Sequence, residues 1–303
     1  MRGEINLSRM DNEDEEHDQS DLCIISSHAD GSIKCWEPTP PGSKNKQRFV
    51  LKQSLTEHDG AIYQVAVDRD AGRIVTAGSD KLVKLWFLRH PGVNTTWGGH
   101  TKGVRSVAVK DGVVVSGGAD SQLRVWKIGQ DSCSAVLKKS MKTKGHSQEV
   151  TSVQFDPSNW KRVISSSLDK TIKIWDIQDK KVLHSIKIES GCNAMTIVNS
   201  RAFCASKDGA VYVFDLETGE KINQFLAHKE GGTFAIAIGS KVCATGGEDA
   251  LVNIFDLKSV MQRRKQGSGK YKPKVVLSGH KNLVHSIVIK GPEVFTGSWD
   301  DTI

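Results

Sequence analysis

Seven aspartates carry a fixed set of companions along this 303-residue chain: Asp30, Asp80, Asp120, Asp169, Asp208, Asp249 and Asp300. An aromatic stands six residues after each of the first six: Trp36, Trp86, Trp126, Trp175, Phe214 and Phe255. Ser, Thr or, once, Cys stands four residues before each: Ser26, Thr76, Ser116, Ser165, Cys204, Thr245 and Thr296. A histidine precedes five of these by 16 to 19 residues: His58, His100, His146, His228 and His280. The aspartates lie 39 to 51 residues apart. Self-similarity at such a period marks a unit that cannot bury its own faces and must stack on its neighbours.

Within each unit apolar and polar residues alternate. VRSVAV (104–109) and VTSVQF (150–155) follow the histidine, RIVTAG (73–78) and GVVVSGG (112–118) surround the hydroxyl residue, and QLRVW (122–126) and TIKIW (171–175) follow the aspartate. Period-two patterning between Gly-, Ser- and Asp-rich breaks predicts short antiparallel strands in hairpins. The spacing leaves no room for a long helix inside a unit. Four-stranded sheets of this kind stack radially.

These residues resemble the WD40-repeat (Trp-Asp repeat) β-propeller family. The likeness covers residues 21–303. It rests on the pairs Gly99–His100, Gly145–His146, Ala227–His228 and Gly279–His280, on the Ser/Thr-x-x-x-Asp step, and on an Asp-to-Trp step that ends in Trp175–Asp176. The resemblance implies an all-β, seven-bladed propeller of four-stranded antiparallel blades, incomplete in its first and last blades. Blade motifs are expected near 21–55, 56–97, 98–138, 144–187, 188–226, 227–278 and 279–303. It further implies a buried polar tetrad in each blade: His58, Thr76, Asp80 and Trp86; His100, Ser116, Asp120 and Trp126; His146, Ser165, Asp169 and Trp175; His228, Thr245 and Asp249; His280, Thr296 and Asp300. A carboxylate left unpaired in such a turn is costly, and an imidazole can satisfy it while passing a second bond to the hydroxyl. Five His–Asp–Ser/Thr sets also suit a hydrolase triad. Repetition in every blade is what a structural role requires, whereas catalysis needs one copy. The fifth unit keeps only Asp208 of the four and is expected to be the weakest.

The chain ends depart from the pattern. Residues 1–20 hold two arginines against seven acids and are expected to form an acidic, disordered tail, too charged to supply a strand. The first unit therefore lacks an inner strand, and the seventh stops three residues short of its aromatic. The expectation is a truncated product, or a seam lying beyond Ile303, and a bare sheet edge.

Function is expected on the surface. In the family, the residue before the tetrad Asp and those early in the first strand often carry contacts. Carried over, these positions give a protein-binding patch of Tyr63, Arg105, Leu168, Lys207, Glu248, His285 and Trp299. The net charge is +7. Basic stretches occur at Lys44–Arg48, Lys138–Lys144 and Arg263–Lys274, the last holding Arg263, Arg264, Lys265, Lys270, Lys272 and Lys274 around Tyr271. They read as solvated loops, with RNA or acidic protein as the functional alternative.

No phosphate loop, nucleophile elbow or zinc-protease motif is present. The six cysteines form no Cys-x-x-Cys pair and read as reduced buried thiols. No cofactor, metal or small-molecule substrate is expected. No apolar run reaches the ~18 residues of a membrane helix, and Met1–Met10 lacks the apolar core of a secretory signal. The expectation is an intracellular protein, cytoplasmic or nuclear, that scaffolds or adapts protein complexes without catalysis. The alternatives are an RNA-associated ribosome-assembly factor working through its basic rim and a ubiquitin-ligase substrate receptor. The Trp-Asp-x-Arg box of some ligase-linked relatives is absent, since Ile177 and Gln178 follow Asp176.

Overall fold

The computed structural model describes residues 5–9, 22–39, 48–68, 71–87, 93–138, 144–262 and 271–303. Each alternating unit becomes an antiparallel meander. The first sheet runs β1 (Ile5–Arg9), β2 (Leu22–Ser27), β3 (Ser32–Pro38) and β4 (Phe49–Thr56). The second runs β5 (Ile62–Asp68), β6 (Arg73–Gly78), β7 (Val83–Phe87) and β8 (Val93–Trp97). The third runs β9 (Val104–Lys110), β10 (Val113–Gly118), β11 (Leu123–Lys127) and β12 (Cys133–Leu137). The fourth runs β13 (Val150–Asp156), β14 (Asn159–Ser167), β15 (Thr171–Asp176) and β16 (Lys181–Lys187). The fifth runs β17 (Cys192–Val198), β18 (Arg201–Ser206), β19 (Ala210–Asp215) and β20 (Lys221–Leu226). The sixth runs β21 (Thr233–Ile238), β22 (Val242–Gly247), β23 (Val252–Asp256) and, after a short helix α1 (Leu257–Met261), β24 (Val275–Leu277). The seventh is a pair, β25 (Val284–Lys290) and β26 (Glu293–Ser298).

The first strands β1, β5, β9, β13, β17, β21 and β25 neighbour one another in order, with β1 between β25 and β5. They therefore encircle a common axis. The molecule is an all-β propeller of four-stranded antiparallel blades, six of them four-stranded and a seventh with two strands among the described residues.

The core lies between blades. In blade five, Ala202, Cys204, Tyr212 and Phe214 pack towards blade four, while Phe203, Ala205, Val211 and Val213 pack towards blade six. Strand alternation supplies both faces. Equivalent apolar wedges fill every other junction, including a smaller one where Ile24, Trp36 and Phe49 of blade one meet Val288 and Phe295 of blade seven. The outer strand of blade six is less covered than that of blade three. Leu277 of β24 is 41% exposed, whereas Leu137, which ends the outer strand of blade three, is 1% exposed.

One expectation is corrected. Ile5–Arg9 is not part of a disordered tail: it forms the inner strand of blade one, registered from Ile5 opposite Ser26 to Arg9 opposite Leu22. The charge of residues 1–20 sits on either side of this segment. INLSR itself alternates apolar and polar and carries one charge, so averaging over twenty residues hid it. Residues 1–4 and 10–21 lie outside the described residues.

The turns explain why aspartate persists in all seven units. Its Oδ1 accepts the N–H two residues on, from Ser32, Leu82, Gln122, Thr171, Ala210, Leu251 and Thr302, at 2.9–3.1 Å. The residue between has positive φ every time: Gly31, Lys81, Ser121, Lys170, Gly209, Ala250 and Asp301. The carboxylate bond offsets the cost of that left-handed residue.

Blade five keeps this turn without a histidine. Tyr212 donates its hydroxyl to Asp208 Oδ2 at 2.6 Å, replacing the imidazole from a different position in the unit. Burial, and then the Asp208 carboxylate, push the phenol's pKa well up, so it stays a donor. Cys204 fills the hydroxyl position, with its Sγ 2.7 Å from that of Cys192, and both side chains are buried. Tyr212→Phe is expected to destabilise the protein by about 1.5–3 kcal/mol, the worth of a hydrogen bond to a charged group. A thermal midpoint equal to wild type would show that Asp208 needs no partner.

Candidate interaction site at the mouth of the ring

Beneath the loops of one face, each complete set of tetrad residues forms a directed chain. In blade four, Trp175 Nε1 donates to Ser165 Oγ at 2.7 Å, Ser165 Oγ lies 2.7 Å from His146 Nε2, and His146 Nδ1 lies 2.9 Å from Asp169 Oδ2. The indole can only donate, so the serine oxygen accepts from it and gives its own proton to Nε2. That leaves Nδ1–H to donate to the carboxylate. Blades two and three repeat the chain through Trp86, Thr76, His58 and Asp80, and through Trp126, Ser116, His100 and Asp120. Blade six has His228 between Thr245 and Asp249 without an indole, and blade seven has His280 between Thr296 and Asp300. Blade one, which lacks a leading histidine, uses His28 from its own turn: Nε2 lies 2.8 Å from Ser26 Oγ, which also accepts from Trp36 Nε1.

Thr76, Ser116, Ser165 and Thr245 are fully buried. No substrate reaches those hydroxyls, so the sets act as braces. Burial pushes the Asp169 carboxyl up, but the bonds from His146, Thr171 and Ser147 outweigh it and hold the group well below the usual range. Asp80, Asp120 and Asp300 are depressed in the same way. Burial lowers the His146 imidazole, against the Asp169 bond that raises it.

The inner strands meet through side chains. Gln64 accepts the Val107 N–H, Ser106 Oγ accepts the Val153 N–H, Gln154 donates to the Met195 carbonyl, and Asn193 donates to the Thr233 carbonyl, all at 2.8–3.0 Å. They enclose a central cavity of about 840 Å³. Six of the seven residues expected to form the binding patch line it: Tyr63, Arg105, Leu168, Lys207, His285 and Trp299. Glu248 does not; it is exposed, and its Oε2 accepts the Gly232 N–H at 3.0 Å.

Asn193, Met195 and Phe234 also line the cavity and escaped the motif count. Blade five has no histidine from which to count. Blade six has an extra glycine after His228, which moves Phe234 into the position of Arg105 and leaves Thr233 buried, donating to the Gly209 carbonyl.

Arg105 is the most constrained charge at this mouth. Its guanidinium sits 4.4 Å from the Tyr63 ring centroid, and Nε donates to Glu149 Oε2 at 3.1 Å. Burial pushes His285 down to about 4. The consequence for stability has a definite sign. An unfolded histidine takes a proton near pH 6.5, and His285 and His146 resist it when folded, so stability falls as pH drops from about 6.5 towards 4. Below about pH 4 the depressed aspartates lose stability further in the same direction. The expected loss between pH 7.5 and 4.5 is on the order of 2 kcal/mol from His285. It is measured as a lower urea midpoint and should shrink in His285→Gln. A midpoint independent of pH over that window would contradict it.

The basic stretches are only partly in view. Arg263, Arg264, Lys265 and Lys270 lie outside the described residues, as do 40–47 and 139–143. Lys272 is exposed, and Lys274 pairs with Asp256 at 2.9 Å. Tyr271 packs on Phe225 at 5.2 Å and its hydroxyl accepts from Asn223, so its ring is held within the blade. Among the described residues no group of three or more His, Cys, Asp or Glu could hold a metal ion, and no helix is long and apolar enough to cross a membrane.

Comparisons with known proteins agree with this geometry. The family profile described as "WD domain, G-beta repeat" matches residues 49–86, 93–127 and 137–176. Autophagy-related protein 16 of Arabidopsis thaliana is 22% identical over 242 residues, covering 78% of this chain and 45% of that protein. The ribosome biogenesis protein WDR12 homolog of Drosophila erecta is 26% identical over 234 residues, covering 68% and 52%. The small ribosomal subunit protein RACK1 of Caenorhabditis elegans is 33% identical over 118 residues, covering 38% and 34%. The chain thus spans about half or less of these relatives. The WD40 β-propeller domain of Doa1 superposes with a TM-score of 0.74 at 21% identity, covering 98% of this chain and 95% of that one.

Proposed function

The chain belongs to the WD40-repeat β-propellers, and from that premise we propose that it is a non-enzymatic scaffold or adaptor which binds protein partners at the mouth of its central cavity. One observation carries the reading. Six side chains from five blades, picked by repeat position and residue type, converge on one cavity: Tyr63, Arg105, Leu168, Lys207, His285 and Trp299. Aromatic and arginine side chains are the residue types that dominate binding energy. The braced turns beneath them hold the surface in place before a partner arrives, which lowers the ordering cost of binding.

The test is affinity purification of the wild-type chain beside the double variant Arg105→Glu, Trp299→Ala. Partners of the wild type are expected to be lost from the variant, with an affinity drop of about 100-fold for two anchors. Undiminished recovery would place the interaction elsewhere. The same reading puts the protein inside the cell, in cytoplasm or nucleus. It also takes the ring as seven four-stranded blades.

RNA contact through the basic stretches is the second reading. Its support is their charge and the likeness to ribosome biogenesis proteins. With Tyr271 held against Phe225, such binding would rest on phosphate charge and would fall steeply with salt.

A further inference from the structure

The charges lining the cavity are unequal in how far they are already satisfied. Arg105 and Lys207 are its Arg/Lys residues, and Glu149 is its carboxylate. Arg105 gives its Nε–H to Glu149 and one face to Tyr63. Among the described residues, its terminal Nη groups have no bonded partner, and neither does Lys207 Nζ. Glu149 is already shared with a guanidinium. Around these cations stand Leu168, Met195, Phe234 and Trp299.

We propose that the occupant of this mouth is an acidic peptide segment bearing apolar side chains. Its carboxylates meet the open Nη groups of Arg105 and the Lys207 ammonium, and its apolar groups lie against Leu168, Met195, Phe234 and Trp299. This rests on the reading of the mouth as a protein-binding site.

Charge complementarity decides between peptide classes. A basic segment would meet Lys207 and the free side of Arg105, while the only carboxylate lining the cavity among the described residues is already engaged. A neutral segment could offer carbonyl acceptors but no opposite charge, and covering two uncompensated cations is costly once water is excluded. A carboxylate can bond the guanidinium in a fork while Tyr63 and Glu149 hold its plane still. No ordering of the long arginine side chain is then required at binding.

The experiment uses the full chain and a library of random peptides displayed on phage. A fluorescent copy of the most enriched peptide is then titrated by anisotropy. The expected result is a peptide with net negative charge and at least one Leu, Phe or Trp. Arg105→Gln and Lys207→Gln should each weaken it about 10-fold, as should Trp299→Ala. Arg105→Lys should recover only part of the loss, because it restores charge without the fork. Thermal midpoints of all variants are measured alongside, and any variant that melts early is replaced by Leu168→Ala. Neutral or basic peptides that bind and are weakened by Trp299→Ala would overturn this inference and leave the mouth a protein-binding site. No enriched peptide sensitive to Trp299→Ala or Leu168→Ala would overturn both.

Discussion

His146→Ala is expected to lower the thermal midpoint by roughly 10 °C, the largest effect of any single brace. His146 is 1% exposed and is bonded through both ring nitrogens, to Ser165 and to Asp169. Removing it strips Ser165 of the acceptor for its proton and leaves Asp169 with Thr171 as its one remaining side-chain donor, while Trp175 still points at the serine oxygen. Deleting a buried ring and leaving its hydrogen-bond partners unsatisfied costs about 3–5 kcal/mol, and each kcal/mol shifts the midpoint by about 2–4 °C for a chain of a few hundred residues. His280→Ala should cost less, because His280 is partly exposed. Scanning calorimetry of both variants checks the order. Equal, small shifts would mean that the chain of bonds contributes little.

Gly209→Ala is the second large effect, expected above about 3 kcal/mol. Gly209 has φ +78° in the blade-five turn. A methyl there would overlap the His228 carbonyl and stand 2.7 Å from the Gly231 oxygen. The Gly209 carbonyl accepts the N–H groups of Ala227 and His228 and the hydroxyl of Thr233, so any retreat loosens the junction of blades five and six. Backbone angle alone cannot be the reason, because Lys81, Ser121, Lys170 and Ala250 hold positive φ at the same turn position. Ala250→Gly is therefore the control, expected within about 1 kcal/mol of wild type. Equal loss in both variants, by urea denaturation, would refute overlap as the cause.

The tetrads could be read from sequence because turn geometry fixes their offsets: the aspartate must sit two residues before the N–H it binds, and the aromatic must lie on the next strand. Substitutes from other positions were not legible. His28 reaches Ser26 from within the turn, and Tyr212 reaches Asp208 from four residues on. Both are satisfied by proximity in the folded blade rather than by a repeated spacing. Six of the cavity-lining positions could be counted off for the same geometric reason; the count missed Phe234, behind an inserted glycine, and Asn193 and Met195, with no histidine upstream, and it named Glu248, which lies off the cavity. The β1 strand was missed because charge was summed over a longer window than the strand occupies.

The division of the core into separate wedges between neighbouring blades has an evolutionary side. A residue buried in one wedge answers to two sheets and to no others. Drift in one blade then needs compensation only next door, as blade five illustrates: tyrosine stands in for the histidine, cysteine for the hydroxyl residue and phenylalanine for the indole, beside a blade four that holds the full set. A lineage can thus re-letter a ring sector by sector, retuning what the mouth recognises without passing through an ancestor that fails to fold.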